Sequence, residues 1–183
     1  MKKRILLGLM GTIGSGKTTI SNYLVKKGFF RVIMGDLVRE KVRQEDIELT
    51  RESLQAAQKK YRKLYGEDFF MKEAIKILNK SGRKRLLIDG IRLPIDAKEA
   101  KKAGARLILI DASPKIRFER LKARGREDDP KTFLEFMKQE RAEWRIFKFE
   151  RTLKYVDFKI DNSNNLEKFY KNVNKLLEKN RKT

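Results

Sequence analysis

Residues Gly11 to Thr18 read GTIGSGKT, set between an apolar run, RILLGLM, and an amphipathic one, TISNYLVKKG. No other stretch restricts the fold as much. Glycines at 11, 14 and 16 let the backbone curl so that its N–H groups face a phosphate. Lys17 places a positive charge on the outer phosphates, and the Thr18 hydroxyl is a ligand for Mg²⁺. A helix that begins here adds its positive dipole end at the same point. Gly11, Thr12, Ile13, Gly14, Ser15, Gly16, Lys17, Thr18 and Thr19 are therefore the candidate cradle for a nucleotide, with ATP and Mg²⁺ as the expected cofactors. A plain glycine turn is the competing reading, and the strand-like and helix-like flanks weigh against it.

The rest of the chain alternates in the same way. FFRVIM, RLLID, RLILID and YVDFKI follow RILLGLM as short strand-like runs, each separated from the next by helical patterns. Helices are expected to stop at Gly28, Gly66, Gly82 and Gly104, to start at Asp36, Pro94 and Ser113-Pro114, and to run long from Phe133 to Phe147 and through a closing segment with Leu166, Phe169, Val173 and Leu176. Strands spaced by helices predict a five-stranded parallel α/β sheet covered on both faces. Ligands of such sheets bind beyond the carboxyl ends of the strands. The glycine loop, Asp36, Asp89 and Asp111 all fall there.

The chain has 183 residues, which fits a single domain over 1–183. It contains no cysteine and no histidine. Disulfides, thiolate nucleophiles, imidazole bases and Cys/His zinc sites are excluded, so any proton transfer falls to a carboxylate, lysine or tyrosine. No apolar run approaches the ~18 residues of a membrane span. MKKRILLGLMG is too short in its apolar part for a signal peptide and is read as the first strand, with the cytoplasm expected. The formal charge of +21 is spread evenly along the chain. Either a generally basic surface or a nucleic-acid-binding face accounts for it.

Two further stretches carry chemistry. In LLIDGIR, Asp89 ends an apolar run, where a carboxylate holds a water on Mg²⁺. Arg92, three residues on, is placed to clamp a second anion. In RFERLKARGREDDP, Arg117, Arg120, Arg124 and Arg126 precede Asp128 and Asp129. That segment is either a solvated, internally paired face or a cationic cover for a travelling phosphoryl group.

IMGDLVREKV, DGIRLP and ERLKARGREDD are similar to three segments of adenylate kinases. Together with ASPKIRFERLKARGREDDPKTF they resemble a mainly archaeal family of nucleotide kinases related to CMP and AMP kinases, and more weakly dephospho-CoA kinases. The resemblance spans Leu6 to about Arg145. It implies a P-loop NTPase fold, with a helical acceptor-binding segment at about 36–81 and a short lid at about 124–131. Lys17 and Thr18 then match the loop lysine and the magnesium hydroxyl. Arg39 and Arg92 match arginines that hold the acceptor's phosphate, beside Asp36. Arg124 and Arg126 match lid arginines, with Arg120 on the donor side, and Arg141 matches an arginine of the helix after the lid. The catalytic set so implied is Lys17, Arg92, Arg124 and Arg126, with Thr18 and Asp89 at the metal.

Two departures stand out. LPIDAKEA offers Asp96, Lys98 and Glu99 where adenylate kinases carry an adenine-reading glutamine, and only Gly125 separates Arg124 from Arg126. Three functions stay open. One is transfer from ATP-Mg²⁺ to a nucleoside monophosphate, which needs no base; Asp36 would then cap a helix. Another is transfer to a hydroxyl, as in dephospho-CoA kinase, with Asp36 as base. The third is an ATPase bound to RNA or a ribonucleoprotein. A monomer or a homodimer is expected.

Overall fold

The computed structural model describes residues 4–125, 129–163 and 166–182. Chain order is β1 (Ile5–Met10), α1 (Lys17–Lys26), β2 (Phe30–Ile33), α2 (Met34–Gln44), α3 (Arg51–Tyr65), α4 (Phe69–Lys80), β3 (Arg85–Asp89), α5 (Pro94–Lys102), β4 (Arg106–Asp111), α6 (Pro114–Arg124), α7 (Phe133–Phe147), α8 (Phe149–Leu153), β5 (Phe158–Asp161) and α9 (Leu166–Lys182). The five strands form one parallel sheet in the order β2-β3-β1-β4-β5.

Both faces of this sheet are covered, which is why its strands read as continuous apolar runs. Leu6, Met10, Leu86, Ile88 and Leu107 point to one layer, with Val38, Phe70, Met71, Leu78 and Ala97 from α2, α4 and α5. Leu7, Leu9, Leu87, Ile108 and Ile110 point to the other, with Ile20 and Leu24 of α1 and Phe169 and Val173 of α9. A third, small cluster of Phe118, Leu121 and Phe136 joins α6 to α7.

Helix starts follow their caps. The Thr50 hydroxyl accepts from Ser53 N at 3.1 Å while Ser53 Oγ accepts from Thr50 N at 2.9 Å. Thr132 and Glu135 make the same reciprocal pair at the head of α7, and Ser113 Oγ accepts from Ile116 N ahead of Pro114. Such caps satisfy amide donors that the first turn leaves open.

Three boundaries differ from the sequence reading. Met34 belongs to α2 rather than to the strand before it, so Asp36 sits inside the first turn and Ile33 occupies the cap position without a side-chain bond. Asp36 is therefore not the helix cap expected of it. The run YVDFKI enters the sheet only at Phe158. Tyr155 N and Val156 N still donate to Thr152 O and Leu153 O, closing α8, and the Asp157 carboxylate accepts from Leu107 N at 2.7 Å in place of a ladder bond. α8 itself was not anticipated; Lys148, in the left-handed region at φ 48°, turns the chain out of α7 and into it.

Candidate active site

The loop after β1 bends back on itself, with Ser15 N donating to Thr12 O at 3.3 Å. Gly14 has a φ of 76°, and a Cβ there would lie 2.7 Å from Arg117 O. Gly16, the cap of α1, has a φ of 93°, and a Cβ there would run into Asn162 Nδ2. No side chain caps α1, so its first amides stay open for an anion. Lys17 Nζ donates to Gly11 O at 2.6 Å and to Thr12 O at 2.9 Å. Burial lowers its pKa to about 8, helped by the positive charge of Arg92 and opposed by Asp89 and Glu143.

β3 delivers the next groups. Gly90 N and Ile91 N donate to Leu9 O at 3.2 and 3.0 Å, which wraps the end of β3 over β1 and sets the buried Asp89 beside the loop. Arg92 follows. Its Nη1 lies 3.9 Å from Glu143 Oε2, and its guanidinium stacks 5.1 Å from the Phe147 ring centre. Its carbonyl accepts from Thr152 Oγ1 at 2.8 Å. α7 and α8 thus hold Arg92 from two sides. Gly11, Thr12, Arg92, Glu143, Trp144, Phe147 and Phe149 line one narrow cleft. Behind Trp144 lies a more open cavity of about 430 Å³, whose charged groups are largely engaged: Asp111 with Lys159, and Glu140 with Arg117.

The expected residues are thus partly assembled. Lys17, Asp89 and Arg92 converge. Thr18 is exposed at the start of α1 and Thr19 is half-buried beside it. Arg120 Nη2 donates to Asn162 O at 2.7 Å, and its Nη1 is buried without a partner among the described residues. Arg124 Nε donates to Asp129 Oδ2 at 3.0 Å. Arg126 lies outside the described residues. Arg39 is exposed and donates to Asp36 Oδ1 at 2.7 Å on α2, and it does not line the cleft. Arg141 is exposed as well, off the α7 face that carries Phe136 and Glu140 inward. Asp96, in the stretch where a base-reading glutamine was sought, is buried and bonded to Arg62 Nη2 at 2.9 Å. It is not available to a base.

Two residues escaped the sequence reading. Asn162 Nδ2 donates to Ser15 O at 2.9 Å, while its Oδ1 and the buried Ser15 Oγ have no partner among the described residues. The rule that singled out Asp36, Asp89 and Asp111, a polar residue at a strand's carboxyl end, also reaches Asn162. Arg117, seen only as one of four arginines, is buried. It donates to Ala112 O at 2.8 Å, to Ile13 O at 3.5 Å and to Glu140, bracing the loop from behind.

The donor set fits a magnesium nucleotide. One hydroxyl, Thr18, and one carboxylate, Asp89, sit at a loop whose amides are open, and Mg²⁺ typically takes one or two protein carboxylates plus phosphate oxygens and water. Among the described residues no cluster of acidic side chains forms an all-protein metal cage.

A family model described as an AAA domain matches residues 7–145. A UPF0200 protein of Staphylothermus marinus is 32% identical over 187 residues, with 100% of this chain and 97% of the relative covered. The chain belongs to the UPF0200 family. Among solved structures, this UPF0200 chain is similar to TT1252 from Thermus thermophilus, at a TM-score of 0.68 and 18% identity, with 97% and 98% of the two chains covered. It is also similar to shikimate kinase from Bacteroides thetaiotaomicron, at 0.61 and 14%, with 95% and 98% covered. These likenesses show the fold, a parallel α/β sheet with helices on both faces shared with those two structures. Among the described residues of this UPF0200 chain, no helix is long and apolar enough to cross a membrane.

Proposed function

We propose that this chain is an ATP-dependent nucleoside monophosphate kinase, passing the γ-phosphoryl group of ATP to the phosphate of an acceptor nucleotide. The observation that carries the reading is the pair of cations at the cleft. Lys17 and Arg92 lie close enough for the guanidinium to add to the burial that lowers the ammonium's pKa to about 8. A donor phosphate on Lys17 and an acceptor phosphate on Arg92 would give each cation an anionic partner. Phosphoryl transfer asks mainly for such placement of positive groups.

In this reading the amides of Gly11–Thr19 bind the donor's phosphates, and Lys17 leaves its loop carbonyls for the outer phosphate. Thr18 and Asp89 hold Mg²⁺, which neutralises charge on the transferred group. Arg120 and Arg124 serve the donor, and Arg126 the travelling phosphoryl group. Arg39 and Arg141 reach the acceptor only if α2 and α7 close over it, Arg39 exchanging Asp36 for phosphate. An ionised acceptor phosphate needs no base. The cytoplasm remains the expected compartment, and the acceptor segment and lid keep the limits given by the resemblance.

A second reading rests on Asp36. Because it caps nothing, it is free of the structural duty that a phosphate acceptor would have left it. A hydroxyl acceptor would use it as base. The deciding experiment offers the protein ATP-Mg²⁺ with each nucleoside monophosphate, the deoxynucleotides and dephospho-CoA, and analyses the products. Nucleoside diphosphate is expected. Phosphorylation of a hydroxyl alone overturns the first reading, and hydrolysis alone overturns both.

A further inference from the structure

The sheet has a second edge, formed by the starts of its parallel strands. All five strands start on the side opposite the glycine loop, and the chain gathers cations there. α1 ends in Lys26 and Lys27, α4 ends in Lys80, and the turn into β3 is Arg83-Lys84, beside Arg4 at the start of β1. These six side chains are all exposed. Direct bonds tie their segments into one surface. Ile5 N donates to Lys84 O at 2.7 Å, Arg4 Nη2 donates to Asn79 Oδ1 at 2.6 Å, and Arg85 Nη1 donates to Lys27 O at 2.5 Å. Among the described residues none of the six has a carboxylate within ion-pair distance. The surface is also open among the described residues: a Cβ at Gly28 or at Gly82 would meet none of their atoms within 4 Å.

Lysines at helix C-termini complement the helix dipole, and that accounts for Lys26 and Lys80. It does not account for Arg4, Arg83 and Lys84, which lie outside helices. Like charges held together without counter-charge cost stability, so a cluster of this kind is built for an external anion. A small phosphate needs a concave, convergent site, and this edge is neither. From β2 to β1, where these groups lie, it spans two strand spacings, ~9.5 Å. A duplex of that length carries roughly five or six backbone charges. One exposed ring, Phe30, opens the edge strand β2 at the same end.

We propose that this amino-terminal edge of the sheet binds the phosphate backbone of nucleic acid, leaving the phosphoryl cleft on the opposite edge open. The activity inferred above is not needed for it.

Fluorescence anisotropy tests it, with a labelled mixed-sequence RNA hairpin and a DNA hairpin of the same sequence, across ~50–200 mM salt. Binding should weaken steeply with salt. Arg83→Glu/Lys84→Glu should lower affinity at least tenfold and flatten the log–log salt slope by about 1.5. A Lys26→Glu/Lys80→Glu variant keeps the test alive if the first fails to fold, and thermal melting checks both. Equal binding of the two hairpins supports backbone recognition, and preference for RNA supports it with A-form shape added. The proposal falls if the reversed variants bind as the wild type does, if excess ATP-Mg²⁺ displaces the hairpin, or if anionic vesicles bind and neither hairpin does.

Discussion

Arg62 and Asp96 form a buried ion pair, with Nη2 3.2 and 2.9 Å from the two carboxylate oxygens. Through it α3, in the segment expected to receive the acceptor, is fastened to α5 of the central layer. Removing one partner strands the other charge in the interior. Arg62→Ala should therefore cost about 3–5 kcal/mol of stability, measured by urea unfolding.

The same pair shapes the response to pH. Burial raises the Asp96 pKa from 3.8 to about 6, with Arg62 opposing the shift. Between those two values the folded chain holds a proton that the unfolded chain has released. This group's contribution thus favours folding below pH ~4 and is lost as pH rises to about 6, opposite to a salt-bridged surface carboxylate. Asp96→Asn should remove that slope, seen by comparing denaturation midpoints at pH 4.5 and 7.

Lys17→Ala should nearly abolish phosphoryl transfer and leave the fold intact. The lysine also reports its own occupancy. Its pKa of about 8 should return toward 10.5 when phosphate neighbours it, so nucleotide binding near pH 8.5 takes up a proton and weakens as pH rises further. Calorimetry in two buffers of different ionisation enthalpy reads this directly. Equal heats would show that the ammonium does not meet the phosphate.

Asp36 and Arg39 answer to different substrates. With a phosphate acceptor, Asp36→Asn should retain most of kcat, while Arg39→Ala raises the acceptor's KM and leaves ATP binding alone. A fall in kcat of about 10²–10⁴-fold for Asp36→Asn, with melting and nucleotide binding unchanged, would assign the proton-accepting role to this carboxylate.

Gly16→Ala should abolish nucleotide binding, because the new methyl meets Asn162 Nδ2 and the φ of 93° disfavours any side chain. Asn162→Ala should weaken donor binding more gently, through the lost bond to Ser15 O. Combining the two relieves the clash and not the backbone, so partial recovery at most is expected in a binding titration.

Sequence was a good guide where one local signal decided the outcome. Strand positions, the cap at Ser113, and the meeting of Lys17, Asp89 and Arg92 all follow from short-range pattern plus the rule for carboxyl ends. It failed where a distant partner decides. YVDFKI alternates like a strand, yet Asp157 spends its carboxylate on Leu107 N and the helical turn of α8 keeps Tyr155 and Val156. Arg117 looked like surface charge, and its burial rests on partners out of local reach, Glu140, 23 residues away, and Ile13 O, with Ala112 O beside them. The rule for carboxyl ends reaches Asn162, yet no local signal names Ser15, 147 residues earlier, as its partner.

The strand order has a consequence for synthesis. β1 emerges first, but its neighbours are β3 and β4, whose pairing residues begin at Arg85 and Arg106. The central strand must therefore wait, apolar and unpaired, until much of the chain has been made. Pairing this far apart in sequence folds slowly. The glycine loop, written in the first twenty residues, gains its last support only when Asn162 arrives, so a nascent chain stalled before β5 should carry the loop's full sequence and still hold nucleotide less tightly than the finished chain.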